Sequence, residues 1–457
     1  MATVLGANTL SSGGYQVDNS VRLFSNTLMT MTPSGAPTNA DISTLSFWTK
    51  LAGLGTERSP IFAAGNGGGV HFRADTDQID FYNGGGSLRT TQQFKDVSAW
   101  YHIVLRTNTT DGTANDRLRV YVNGTQVTDF AQRSNPDQNA NTHLGSAAEH
   151  HIGCNNDPAN FFNGYLAEMC FIDGLSLGPD SFGEFDGDSP TIWKPINVSG
   201  LTYGNNGFYL EFKSGGNLGD EDKGTQTADW SETNLTAVDQ STDTCTNNFC
   251  TMNPVLGALY TPTFSEGNLQ VTQSTDNQHA VTHGTFAVTK GVWYWEVKYI
   301  GNTGTSGPSD RAVGIQVPNV TNVFTQANYN TAGSILYYGY DGGEIFDEGT
   351  STTADYGTYS QNSILGISLD MDNSVISFYI NGNEVVDNYA LGSNASVIAT
   401  PAVTWPNGTA SGTEMGMNFG SPFYALSSAV ADANGHGAFE YTPVGFALCT
   451  KNLAEFG

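Results

Sequence analysis

The sequence predicts an all-β protein, two antiparallel sandwiches in tandem, from two hairpins of one plan, a long series of short strands, and the length and composition of the chain. In DRLRVYVNGTQV, Leu118, Val120 and Val122 alternate with Arg117, Arg119 and Tyr121 before Asn123-Gly124, the dipeptide that best supplies the two positive-φ positions of a type I′ turn. A two-residue loop fixes the register, so Val120 faces Val127 and one face of the ribbon is core. The device recurs in DNSVISFYINGNEV, where Ile376, Phe378 and Ile380 share a face, Asn381-Gly382 makes the turn, and Phe378 is expected opposite Val385. At 457 residues the chain exceeds one ordinary core and fits two domains of about 200 residues each. Its 54 glycines, many Asn, Thr and Ser residues and 11% aromatic content suit short strands joined by turns.

In chain order, YQVDNSVRLF and TLSFWTK open the first sandwich, the latter setting Leu45 and Phe47 against Ser46 and Trp48. SPIFAAG, GVHFRAD, QIDFYNG, AWYHIVLRT, the hairpin, HHIGC and GYLAEMCFIDG follow at sandwich spacing, each too short for a stable helix. GFYLEFK, near 207–213, returns to this sandwich as a late strand. The polar stretch from Ser214 reads as a linker running to about residue 250. Beyond it, HGTFAVTKGVWYWEVKYIG, RAVGIQV, SILYYGYDGG, SILGISLDMDNSVISFYINGNEV, TPAVTW and MGMNFGSPFY form a second strand series. The expected division is therefore 1–213, a linker over 214–250, and 251–457.

The order LSFWTK, AWYHIVLRT, strand, Asn-Gly, strand, HHIG, FFNGYLAE, FIDG resembles the laminin-G-like branch of the concanavalin A-like lectin/glucanase fold, as found in structural proteins of tailed, especially marine, bacteriophages. The order Trp293-Tyr294-Trp295-Glu296, Val313-Gly314-Ile315, Gly366 to Asp370, the Asn381-Gly382 hairpin, Pro401-Ala402-Val403 and Asn418-Phe419-Gly420 resembles the SPRY domain. The ending FEYTPVGFALCTKNL is similar to the end of the same phage proteins. These resemblances imply a concanavalin A-like jelly roll followed by a SPRY-like sandwich.

Charge narrows the partners. With 17 Lys and Arg against 44 Asp and Glu, the formal charge of −27 makes a phosphate backbone repulsive over most of the surface, so nucleic acid is not an expected partner. No run of about 18 apolar residues is present and no membrane insertion is expected. Five cysteines, an odd count in a large chain, read as thiols, Cys245 and Cys250 being the one close pair.

Candidate chemistry is sparse. Glu184, Asp186 and Asp188 in GEFDGDSP imitate the E-x-D-x-x-E strand of the β-glucanases within the fold the chain resembles, and i, i+2, i+4 spacing would put all three carboxylates on one strand face. The third is an Asp one residue early, Gly183 and Gly187 interrupt the segment and Pro190 ends it, so an exposed loop is expected. Glu149, His150, His151, Cys154 and Asp157 are of metal-ligand type, yet a strand through HHIGC points the two imidazoles to opposite faces. The laminin-G-like resemblance implies calcium bound by loop oxygens, for which Asn155, Asn156 and Asp157 are the candidates. A sugar site needs exposed rings with amides and carboxylates beside them. Phe161 and Phe162, and Tyr337, Tyr338 and Tyr340 in LYYGYDGG, are the candidate rings, while Trp293 and Trp295 share one strand face and belong to the core. No Ser-His-Asp order, Cys-His pair, phosphate loop or HExxH motif is visible.

The resemblance implies a non-enzymatic protein at the virion surface, a tail fibre, spike or head decoration attaching to a host surface or glycan. A glycan depolymerase and a purely structural capsid or tail bridge are the alternatives. Expected partners are other virion proteins, host-surface glycan and further copies of the chain, with a trimer as the first arrangement and the short leader before Tyr15 nearest the particle.

Overall fold

Asn123 and Gly124 adopt φ of 46° and 77°, the left-handed pair a type I′ turn requires. Asn123 is also tied to the neighbouring strand: its N–H donates to the His102 carbonyl at 2.9 Å, and its Oδ1 accepts the His102 N–H at 2.8 Å. Asn381 and Gly382 repeat the arrangement at φ of 49° and 78°, with Asn381 bonded both ways to Ile364 at 2.8 and 2.9 Å. The computed structural model containing these hairpins describes residues 14–457 apart from 55–58, 66, 74, 156–159, 222, 225–228, 256–261, 274–279, 303–310, 319–332, 340–341 and 406–411. It divides into two compact units that meet in sequence between Asn247 and Asn248.

The first unit is a sandwich of two antiparallel sheets. One runs, edge to edge, Thr125–Gln126, Leu118–Val122, Trp100–Asn108, Ile42–Leu51, Gly164–Asp173, Ser20–Leu23 and Gln240–Ser241, with Phe208–Leu210 also on Gly164–Asp173. The other runs Phe130–Ser134, Gly86–Gln93, Gln78–Asn83, Gly68–Phe72, Ser59–Ala64, His150–Ile152, Leu28–Met31 and Ser231–Thr233. Period-2 alternation sends Leu45, Phe47, Leu118 and Val120 from the first sheet, and Val70, Phe81 and Leu88 from the second, into one buried cluster. The Val127 N–H donates to the Val120 carbonyl at 2.9 Å, which sets the expected cross-strand pair.

The opposite face of the first sheet is also covered. Trp48, Trp100, Tyr165 and Trp193 are buried together, and His102 lies among them with Trp48 stacked at 4.7 Å. His102 accepts the Trp193 indole N–H on Nδ1 at 2.9 Å, while Nε2 is 2.9 Å from the Ser46 hydroxyl. Burial pulls this imidazole down to about 3, so it is neutral at physiological pH.

Three expectations change here. The segment expected as an exposed loop at Glu184 is a short ribbon, Gly183–Phe185 paired with Trp193–Pro195, because the Trp193 side chain anchors its second strand. The segment 214–250 is not a linker among its described residues. Ser231–Thr233 extends the second sheet beside Leu28–Met31, Gln240–Ser241 pairs with Ser20 and Val21, and Trp230 is buried in the core. The expected boundaries at 213/214 and 250/251 therefore give way to one at 247/248. A buried ion pair holds this returning segment, Lys50 Nζ to Asp243 Oδ2 at 2.7 Å, and the Trp100 indole N–H donates to Asp243 Oδ1 at 3.0 Å.

The second unit is likewise built on two main sheets, antiparallel except where Phe446–Ala447 pairs in parallel with Val292–Asn302. One contains Thr413–Asn418, Val292–Asn302, Ile364–Asp370, Val375–Ile380 and Asn383–Ala390, the other Thr400–Trp405, Ala312–Gln316, Ile335–Tyr338 and Glu344–Asp347. Trp293, Trp295 and Phe378 are in its core. Phe378 opposes Val386 rather than Val385, because a bulge interrupts the hairpin ladder, and Ile380 is only half-buried at its edge. Among the described residues the α-helix is Thr450–Phe456, a single short element. All five cysteines are buried free thiols.

Candidate functional site

The two sheets of the first unit exchange a strand at the end of the Asn123-Gly124 hairpin. Thr125 and Gln126 finish the first sheet, Val127 makes its last ladder bond, and by Phe130 the chain has joined the second sheet beside Thr90. Thr128 and Asp129 span the gap, pinned where the Thr91 N–H donates to the Asp129 carbonyl at 3.2 Å. A short polar crossing leaves a concavity on each side. One, about 380 Å³, is lined by Thr91, Gln92, Asn123, Thr125, Gln126, Thr128 and Asp129 with Val122 and Val127 at its base. The other, about 520 Å³, adds Asn115, Asp116, Phe130 and Arg133.

The groove is furnished with amides, hydroxyls and carboxylates. Arg133 is stacked 4.5 Å over the Phe130 ring and its Nη1 donates to the Asn115 carbonyl at 2.9 Å. Asp116 is paired with Arg119 at 2.7 Å, whereas Asp129 is exposed. Gln92, Asn123 and Gln126 can each donate and accept, which matches the hydroxyls of a neutral polyol. Asp116 and Asp129 are the carboxylates of the lining and Thr91, Thr125 and Thr128 its hydroxyls.

The rings singled out in the sequence are distributed by strand alternation. Phe162 is fully buried and Phe161 half-buried, in a bridge to Cys154. Tyr337 is in the core with its hydroxyl donating to the Gly357 carbonyl, while Tyr338 is half-buried and meets Phe346 edge-on at 5.3 Å. Phe162 and Tyr337 are thus removed as sugar platforms. Tyr340, Asn156 and Asp157 lie outside the described residues, and Asn155 is half-buried. Glu184 is exposed and shares Lys194 with Asp186, at 3.3 and 3.4 Å, on one face as the i, i+2 spacing requires. Asp188 is drawn into a turn instead, its N–H donating to Asp186 Oδ1 at 2.9 Å.

His150 and His151 do point to opposite faces. His150 turns to the core against Phe62 and accepts the Gly145 N–H at 3.0 Å. His151 turns outward, where its Nδ1 lies 3.7 Å from Cys154 Sγ and its Nε2 3.4 Å from Glu149 Oε2. A Cys-His pair is therefore present, contrary to the sequence expectation. It is not activated: burial pushes the thiol up to about 11 and lowers the imidazole, so both are neutral. Among the described residues no group of three such side chains is placed to hold a metal ion.

The sequence also gave no sign of Glu168. It sits at a bulge with φ of 48°, buried, accepting the Tyr209 hydroxyl at 2.7 Å, and the Tyr15 hydroxyl is 3.2 Å from that of Tyr209. Burial, with Glu211 and Asp18 nearby, raises its pKa to about 8. The signal available was only the alternation break in YLAEMC, which period-2 reading passes over.

Residues 25–175 match the family model of the concanavalin A-like lectin/glucanases superfamily, and residues 292–420 match that of the SPRY domain. The SPRY domain of human HERC1 is similar over 33% of this chain and 87% of its own, at 20% identity and a TM-score of 0.26. A Bacteroides ovatus protein described as carbohydrate binding is similar over 48% of this chain and 58% of its own, at 12% identity and a TM-score of 0.34. A heptameric SAP-like pentraxin from Limulus polyphemus is similar over 35% and 78%, at 13% identity and 0.26. No curated protein matches the chain in sequence. The chain carries a concanavalin A-like domain followed by a SPRY domain.

Proposed function

We propose that this is a non-enzymatic attachment protein on the surface of a tailed phage particle, as tail fibre, spike or head decoration, and that its first domain holds a host-surface glycan in the groove at the sheet crossing. The observation that supports it is the lining of that groove: Gln92, Asn123, Gln126 and Asp129 offer donors and acceptors side by side. The concanavalin A-like and SPRY combination, in a chain of charge −27, suits a displayed lectin-like module. Glu184, which a glycan-cleaving mechanism would need in a cleft, is exposed and ion-paired. Its partners are then other virion proteins, host glycan and further copies of itself, a trimer being the arrangement to test first.

The test has two parts. A glycan array probed with the full chain should give saccharide signals that Gln126→Ala and Asp129→Ala reduce. Antibody to the chain should label particles by electron microscopy. No saccharide binding, or no labelling of particles, would overturn this reading.

A further inference from the structure

The groove does not end at the sheet edge. In the strand Gly86–Gln93, Leu88 and Thr90 face the core, so Ser87, Arg89 and Thr91 share the outer face, and Thr91 already lines the groove. Tyr82 lies directly across from Ser87 and Asp80 from Arg89, on the same face. Gln132 flanks Arg89 on the other side and donates to the Ser87 hydroxyl at 3.3 Å. From Ser87 to Thr91 is about 14 Å at the usual strand rise, longer than one pyranose ring and the span of a short oligosaccharide.

Tyr82 is set as a platform. It pairs with Gly69, and a Cβ on Gly69 would come within 2.9 Å of the Tyr82 hydroxyl oxygen and 3.1 Å of Cζ, so the missing side chain is what lets the phenol settle across the strand. His71 meets it edge-on at 5.8 Å, and the ring remains half-exposed. Beside it Asp80 Oδ2 receives Arg89 at 3.1 Å, Arg73 at 3.4 Å and His71 at 3.6 Å, and Asp75 takes the far side of Arg73 at 2.8 Å. Two carboxylates against two guanidiniums leave no formal charge beside Tyr82, and the exposed Asp129 at the far end of the groove disfavours an anion. Polar hydrogen-bonding groups next to a half-exposed ring, without net charge, is what an uncharged sugar needs.

We infer that the outer face at Tyr82 and Arg89, the latter held in place by the buried Asp80, and the groove form one continuous track for an uncharged oligosaccharide, one ring stacking on Tyr82 and the following units running along Ser87, Arg89 and Thr91 to Asp129. This rests on the glycan reading of the groove and adds to it the ligand's charge and its minimum length. The protein is an internal-chain binder, engaging several units of a polymer.

The experiment is calorimetric titration of the full chain with glucan, mannan and xylan oligomers of one to six units, and with oligogalacturonates of the same lengths. Affinity for a neutral series should rise about tenfold or more between one and four units and then level off. Tyr82→Ala should remove that gain and leave the single-sugar affinity, Tyr82→Phe should keep it, and melting curves of both variants should match the parent. If Gln126→Ala abolishes binding but Tyr82→Ala changes nothing, or if affinity is flat with length, the track is wrong and the groove reading stands. Preference for oligogalacturonate would overturn the uncharged assignment. Absence of binding to every series overturns the glycan reading and the track together.

Discussion

The six-membered ring of the Trp193 indole lies on the α-carbon of Gly124, so close that a Cβ there would fall 2.3 Å from indole Cε3. Tyr441 stands in the same relation to Gly382 in the second domain, at 2.6 Å from its Cδ1. Each Asn-Gly turn is therefore covered by an aromatic side chain that arrives later in the chain, and glycine is required twice over, by φ and by the ring. Gly124→Ala should destabilise the first domain by about 2 to 4 kcal/mol, and Trp193→Ala by about 3 to 5 kcal/mol. Urea unfolding read by the domain's own tryptophans measures both. A loss below about 1 kcal/mol for Gly124→Ala would mean that the ring does not sit on the turn.

The Lys50–Asp243 pair fastens the returning segment, with side chains only 1% and 3% exposed. Lys50→Met removes the ammonium from a buried carboxylate that also accepts the Trp100 indole N–H, and should cost about 3 to 5 kcal/mol. Lys50→Met combined with Asp243→Leu should cost less than the sum of the two single changes. Strict additivity in that double-mutant cycle would rule out a direct pair.

Glu168 should make stability fall as pH rises. Its folded pKa of about 8 lies above the ordinary carboxyl value of 4.5, so between these the folded chain keeps a proton that the unfolded chain releases. The stabilising contribution is full below about pH 4.5 and is lost progressively up to about pH 8, at no more than about 1.4 kcal/mol per pH unit. Glu168→Gln should remove this slope while keeping an acceptor for the Tyr209 hydroxyl. The comparison is of denaturation midpoints for parent and variant from pH 5 to 9; parallel curves would show that Glu168 is ionised throughout.

No polysaccharide cleavage is expected. Incubating the full chain with host-surface polysaccharide should release no reducing ends, and Glu184→Gln, which removes one of the two carboxylates on Lys194, should leave glycan binding unchanged. Reducing-end release that disappears in Glu184→Gln would make the protein a depolymerase.

Much of the fold was legible because it is locally encoded. Alternation in LSFWTK and DRLRVYV marks strands, and Asn123-Gly124 and Asn381-Gly382 mark turns, since few other residues occupy two successive left-handed positions. The groove was only half legible. Its hairpin is plain in the sequence, but the crossing of Thr128 and Asp129 between sheets is set by Phe130 pairing with Thr90, forty residues earlier.

By itself, then, the sequence determined the strands of strong alternation and both hairpins, properties of neighbouring residues. The tertiary structure decided which sheet each strand joined, and with it which ring of Phe161 and Phe162, or of Tyr337 and Tyr338, went to the core. It also decided that the polar residues of Ser231–Thr233 and Gln240–Ser241 are sheet rather than linker. The physical reason is that ladder bonds come from the backbone, which every residue but proline supplies in full, so an edge strand can be polar and carry no mark of its pairing. The Tyr82 platform depends likewise on Gly69, thirteen residues away in sequence but directly opposite across the ladder.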